Sequence, residues 1–308
     1  MTTRQHPSDQ LLNRLNWTVL RPLGRALGGH ERSLVFGPGA ELEEMREYRP
    51  GDDARAIDWP VMARTGHPYV RLANRERALD LWLVMDVSRS LNWGTTQLLK
   101  SERAIEVAYV IGSILGHFGN RVGALMFAET PLNFIRPATG RKHLLRVIDA
   151  IDHAAGAVAT AQALRPPRST PTGPTNLEAA LQRAFMAIDH KALVFVMSDF
   201  LTQSNWQRRM RQLSQKHEVI GVQIYDPRER ELPDTGVMTF EDPETGRQLT
   251  VNTHDAGLRQ RFAEKAAAQA ETIRHDLIAN GAAHFAISTS DDLLKSILRF
   301  LKSRRGRA

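Results

Sequence analysis

From residue 81 onward, short apolar runs of strand length alternate with longer stretches whose apolar residues recur at helical spacing. This alternation constrains the fold more than any other feature of the chain. Residues 81–86, 122–127, 193–197, 219–224 and 283–288 read as strands; 101–119, 141–155, 177–188, 206–215, 256–280 and 291–302 read as helices. In 141–155, for example, Leu144, Leu145, Val147, Ile148 and Ile151 follow the helical period. Strands that are apolar at nearly every position need cover on both faces, which a parallel sheet flanked by helices provides. The expectation is therefore an α/β fold, a doubly wound, mostly parallel sheet of the Rossmann type. Its ligand crevice should lie at the carboxyl ends of the strands.

The remaining sequence departs from this pattern. In residues 8–27, Leu11, Leu12, Leu15, Val19, Leu20 and Leu23 form an apolar stripe near helical spacing, and Pro22 should bend or end that helix. Its basic, amphipathic character suits docking on its own domain, and also a membrane surface. Residues 30–79 are dense in charge, glycine and proline, and predict an extended, loop-rich segment with a short strand at 69–72. Residues 237–241 and 248–252 flank Asp242-Pro243-Glu244-Thr245-Gly246, so a β-hairpin is inserted at about 235–253. The chain divides into an N-terminal helix and extended segment, 1–77, and an α/β domain, 78–308.

The 308 residues include no cysteine, which removes disulfides, thiolate catalysis and Cys-based zinc sites together. The longest apolar candidate, 107–120, falls short of the roughly 18–20 residues that span a bilayer and contains Ser113 and His117. The start, MTTRQHPSDQ, lacks the apolar region of a secretory signal. These features predict a soluble, cytoplasmic protein. Basic residues outnumber acidic ones 41 to 34, for a net charge of +7. Part of that excess is Lys302, Arg304, Arg305 and Arg307; another cluster is Arg208, Arg209 and Arg211. These suit a solvated face and tail, or a phosphate-binding groove. Nucleic-acid grooves interleave aromatics for stacking, and only 6% of this chain is aromatic, so nucleic acid is the weaker reading.

The residues with chemistry to offer stand where the crevice should be. The first core strand ends in Asp86-Val87-Ser88-Arg89-Ser90. Thr175 precedes a helix in Gly173-Pro174-Thr175-Asn176-Leu177, and a central strand ends in Ser198-Asp199. All are hard oxygen donors. With no cysteine and no paired histidines, the cation they suit is Mg²⁺, Mn²⁺ or Ca²⁺ rather than zinc. Singly each has a plainer reading, since strand-end acids and Thr175 can simply cap helices. Jointly they make a weak octahedral cage with a position left for an outside ligand. Acids beside a metal also suit a metal-assisted phosphoesterase. Against that reading, the sequence holds no G-x-x-x-x-G-K-[ST] loop and no evident leaving-group acid.

Asp86-Val87-Ser88-Arg89-Ser90, Thr175 and Ser198-Asp199 resemble the three parts of the metal-ion-dependent adhesion site of von Willebrand factor A domains, a likeness covering about residues 78–300. The resemblance implies Ser88, Ser90 and Thr175 as direct or near-direct ligands. Asp86 and Asp199 would bind directly or through water, and a partner protein's carboxylate would complete the shell. Phe200 stands where many such domains have glycine. Upstream, the run from Glu44 through Tyr48-Arg49-Pro50-Gly51-Asp52-Asp53 to Asp58-Trp59 resembles the signature of the DUF58 family, with Ala63-Arg64 and Pro68-Tyr69-Val70. Tyr225-Asp226-Pro227 and Leu232-Pro233-Asp234-Thr235-Gly236 fit it too. Membership implies a von Willebrand A-like domain associated with MoxR-type AAA+ ATPases. The implied role is a non-enzymatic, metal-dependent adaptor in protein complex assembly or maturation. Gly51-Asp52-Asp53, with Asp58, suits a second acidic site or a turn whose acids pair with Arg46, Arg49, Arg55 or Arg64.

Overall fold

The computed structural model describes residues 45–50, 52–53, 57–71, 79–117, 119–163, 175–202, 204–241 and 248–305. The helix expected at 8–27 and the turn expected at 242–246 lie outside the described residues. The chain forms two units. The larger contains Leu79–Ser296; the smaller contains the described residues up to 71 and those from Ile297 onward.

In the smaller unit, β1 (Met45–Glu47) pairs antiparallel with β2 (Tyr69–Arg71), and α1 (Trp59–Thr65) lies between them in sequence. The segment expected to be extended thus contains a helix. At barely two turns it is too short for apolar periodicity to register, but its ends carry recognisable signals. The Asp58 carboxylate accepts from Val61 N at 3.1 Å, Pro60 suits the first turn, and Gly66 closes the helix with φ +73°. Asp52 closes a turn, accepting from Arg49 N at 2.8 Å while its own N–H donates to Arg49 O.

The larger unit runs β3 (Asp80–Asp86), a 3-10 turn (Arg89–Asn92), α2 (Lys100–His117), β4 (Arg121–Phe127), β5 (Pro131–Ala138), α3 (Arg141–Ala163) and α4 (Leu177–Ala187). It continues with β6 (Ala192–Ser198), α5 (Gln207–Lys216), β7 (Glu218–Tyr225), β8 (Val237–Glu241), β9 (Gln248–Asn252), α6 (Ala256–Ala279) and β10 (Ala283–Ser288), and α7 (Leu293–Arg305) follows. The six-stranded sheet has the order β10-β7-β6-β3-β4-β5 and is parallel except for β5, which runs antiparallel to β4. This is the doubly wound, mostly parallel architecture the sequence pattern predicts. The edge strand β5 is the addition. Its largely exposed face and its prolines, Pro131 and Pro137, hide it from an apolar-run criterion, and an edge is where a strand tolerates proline. The inserted hairpin is β8 paired with β9, in register Val237↔Asn252, and Thr253 closes its base by donating to Gly236 O at 2.7 Å.

One core face of the sheet carries Trp82, Val84, Leu125, Phe127, Val194 and Val196 against α4, α5 and α6. Packing is close: a methyl group at Gly221 would sit 2.6 Å from Leu277 Cδ2, so only hydrogen fits where α6 crosses β7. On the other face α2 and α3 meet at Gly112, where a Cβ would lie 2.5 Å from Leu144 Cδ1.

Candidate metal centre

After β3 the chain builds outward to β4 and β5; the later strands β6, β7 and β10 build outward on the other side. The junction of β3 with β6, in register through Met85↔Met197, is therefore the switch point of the sheet, and its carboxyl end is where an α/β fold opens a crevice. Asp86 ends β3 and Ser198-Asp199 ends β6 at that opening. Asp86, 2% exposed, accepts from Ser88 N at 2.9 Å through Oδ1 and from Ser198 Oγ at 2.6 Å through Oδ2. The Ser88 and Ser90 hydroxyls lie 3.0 Å apart. Asp199, 4% exposed, accepts from Leu201 N at 3.0 Å and from Lys100 Nζ at 2.9 Å. Asp86, Ser88, Ser90 and Ser198 thus form one hydrogen-bonded group, and Asp199 follows Ser198 directly in the chain.

Thr175 reaches the same end of the sheet from a different connection. It is buried; its carbonyl accepts from Thr202 Oγ1 at 2.6 Å, and the next residue, Asn176, donates its N–H to Ala128 O just past β4. Asn176, not Thr175, caps α4, accepting from Ala179 N at 2.9 Å. The plainer reading of Thr175 as that helix's cap is corrected by this bond: the cap falls one residue later.

The charges around the group are unequal. Burial, then the nearby Asp199 charge, pushes the Asp86 carboxyl up from its usual 3.8 to about 7. Burial also opposes ionisation of Asp199, but the Lys100 ammonium prevails and holds it below the usual range. Lys100, 1% exposed, also pairs with Glu229 Oε1 at 2.5 Å. Its burial disfavours the charge, yet the two carboxylates hold it above the usual lysine range. Glu229 Oε2 in turn accepts from Asp226 N at 2.9 Å. The Asp226 carboxylate, fully buried, accepts from Thr95 N, Thr95 Oγ1, Arg228 N and Thr289 Oγ1. A continuous polar network therefore ties the carboxyl ends of β6, β7 and β10 to the start of α2.

Lys100 and Glu229 were not candidates from sequence, because a single lysine opening a helix and a single glutamate after Pro227 carry no local mark of their pairing. Phe200 fills the position noted for glycine and takes a left-handed φ of +59°. Such a conformation costs about 1–2 kcal/mol. Here the buried ring packs on Trp206 at 5.4 Å and its N–H donates to Ser198 Oγ at 3.1 Å, which holds the turn.

The donors fit a hard divalent cation. Hydroxyl and carboxylate oxygens predominate, and the unfavourable burial of the Asp86 charge is what a cation would relieve. Among the described residues no group of three or more His, Cys, Asp or Glu could hold a metal ion, so a site here would depend on the hydroxyls. Two arginines of α5 are engaged with their own domain, while Arg208 is exposed. Arg209 donates to Gln212 Oε1 at 3.0 Å and lies 3.7 Å from Glu178, and Arg211 donates to Asn280 Oδ1 at 3.2 Å. No helix among the described residues is long and apolar enough to cross a membrane.

The chain is 36% identical over 300 residues to Rv1480 of Mycobacterium tuberculosis strain H37Rv, covering 96% of this chain and 89% of that protein. Among solved structures it is similar to BatB from Bacteroides thetaiotaomicron, with a TM-score of 0.42 and 14% identity over 75% of this chain and 100% of that one. A von Willebrand factor type A protein from Catenulispora acidiphila gives a TM-score of 0.35 and 9% identity over 74% of this chain and 42% of that one. Residues 44–272 match the family described as protein of unknown function DUF58, and the chain belongs to that family.

Proposed function

We propose that this protein is a non-enzymatic interaction adaptor that binds a partner protein through a divalent cation, Mg²⁺ or Mn²⁺ (Ca²⁺ has the same oxygen preference). Ser88, Ser90 and Thr175 would offer hydroxyls, and Asp86 and Asp199 carboxylates held directly or through water. The bound cation would supply a positive charge with coordination positions left for a carboxylate of the partner. The observation that carries this reading is the convergence of Asp86, Ser88, Ser90 and Ser198-Asp199 at the β3–β6 switch point, where Asp86 is bonded to Ser88 and Ser198, and Ser88 to Ser90. The chain's own residues orient the group. Ser198 and the Ser88 N–H fix both oxygens of Asp86, and Leu201 N fixes Asp199. Family resemblance makes a MoxR-type AAA+ ATPase the partner to try first, in complex assembly or maturation.

The test is Mn²⁺ binding by calorimetry, and pull-down of a cognate MoxR-type ATPase with and without EDTA. Ser88→Ala with Ser90→Ala should abolish both while leaving the melting curve cooperative. Partner binding that is indifferent to EDTA and to the double substitution would refute the proposal.

A further inference from the structure

We propose that Lys100 is a working part of this cation site. Its ammonium, clamped between Asp199 and Glu229, takes up the charge of Asp199 and leaves a bound divalent cation dependent on a carboxylate from outside the chain. This rests on the metal-site reading above and adds the residue that sets how strongly the site holds metal on its own.

Lys100 is the first residue of α2, where the helix dipole disfavours a positive charge, so helix stability does not explain it. It is enclosed, with Nζ 2.9 Å from Asp199 Oδ2 and 2.5 Å from Glu229 Oε1. Its backbone N–H donates to Trp93 O at 3.0 Å, and Nζ lies 5.9 Å from the Trp93 ring. The ammonium is therefore held in place rather than swinging in solvent. A carboxylate offers about four lone-pair positions. Those of Asp199 already receive Leu201 N on Oδ1 and Lys100 Nζ on Oδ2. What remains of Asp199 for a metal is partly neutralised by the ammonium. The oxygens of Asp86 are likewise engaged by Ser88 N and Ser198 Oγ. Both carboxylates are thus shared with internal hydrogen bonds, and the other donors are uncharged hydroxyls. Affinity of hard-cation sites rises with the number of charged ligands, so this arrangement yields weak intrinsic binding and a cation that still attracts an external carboxylate.

The test uses the full chain, Mn²⁺ as the probe read by electron paramagnetic resonance, and acetate as a surrogate carboxylate. Lys100→Met with Glu229→Gln removes one positive and one negative charge together, so the net charge of the site is unchanged while Asp199 loses its counter-ion. This double variant should bind Mn²⁺ about tenfold more tightly than the wild type, and added acetate should tighten it less. Glu229→Gln alone, which keeps the ammonium, should bind no more tightly than the wild type. If the methionine variant fails to fold by circular dichroism, Lys100→Gln with Glu229→Gln replaces it under the same expectations. Equal or weaker Mn²⁺ binding by a folded double variant overturns the role of Lys100. When wild-type binding is lost in Ser88→Ala with Ser90→Ala, that same result leaves the site itself standing. If neither the wild type nor the double variant binds Mn²⁺, the site and the role of Lys100 fall together.

Discussion

Asp86→Asn should stabilise the metal-free protein while removing its capacity for metal. The wild-type carboxyl is buried beside Asp199, and its affinity for a proton rises from the usual 3.8 to about 7. Each tenfold in proton affinity is worth about 1.4 kcal/mol, so the ionised form is disfavoured in the native state by on the order of 4 kcal/mol. Because the folded value lies above the unfolded one, the associated stability is complete below about pH 3.8 and is lost as pH rises through about 7. Asparagine keeps an acceptor for Ser88 N. It exchanges the 2.6 Å bond from Ser198 Oγ for one in which its amide donates, a loss of about 1–2 kcal/mol. The net gain at pH 8 in EDTA should be about 2 kcal/mol, a rise in Tm of roughly 4–8 °C for a domain of this size. Thermal melts followed by circular dichroism from pH 4 to 8 measure it, and the advantage of the variant should grow across that range. Added Mg²⁺ should raise the wild-type Tm and leave the variant unmoved. A variant less stable than the wild type at pH 8, or an advantage independent of pH, would refute the reasoning.

Phe200→Gly relieves a left-handed backbone at about 1–2 kcal/mol but empties the space of a buried ring, which costs about 3–5 kcal/mol. Denaturant unfolding should therefore show a net loss of about 1–4 kcal/mol, and a gain would mean that the ring does not hold the turn. Asp226→Ala strips the acceptor from Thr95, Arg228 and Thr289 in a buried site, at roughly 1–3 kcal/mol for each orphaned donor. A loss of 3 kcal/mol or more is expected by the same method. Burial opposes the Asp226 charge, but the Thr95 hydrogen bonds outweigh it and hold the carboxyl below its usual 3.8. Its contribution is thus present above that pH and lost as pH falls through the folded value. Acid titration of the variant should lack this component of the wild-type curve.

The strand-and-helix succession from residue 80 onward is legible in the sequence because burial on both faces of a parallel strand leaves a continuous apolar run, as in Leu193, Val194, Phe195, Val196 and Met197. The acids and hydroxyls at strand ends are legible for the same reason: they stand where an apolar run stops. Short elements are not. α1 is marked only by its caps, and β5 is an exposed edge whose side chains need not be apolar.

The sequence by itself determined which segments are buried, and where along the chain the oxygen donors fall, since hydrophobic periodicity is a local property. Tertiary structure alone decided that β3 lies against β6, so that Asp86 meets Ser198 and approaches Asp199. It also decided that Lys100 pairs with carboxylates 99 and 129 residues away, and that Phe200 adopts a backbone glycine would take without strain. Those outcomes arise from charges brought together out of water by the packing of remote strands, and no window along the chain contains both partners.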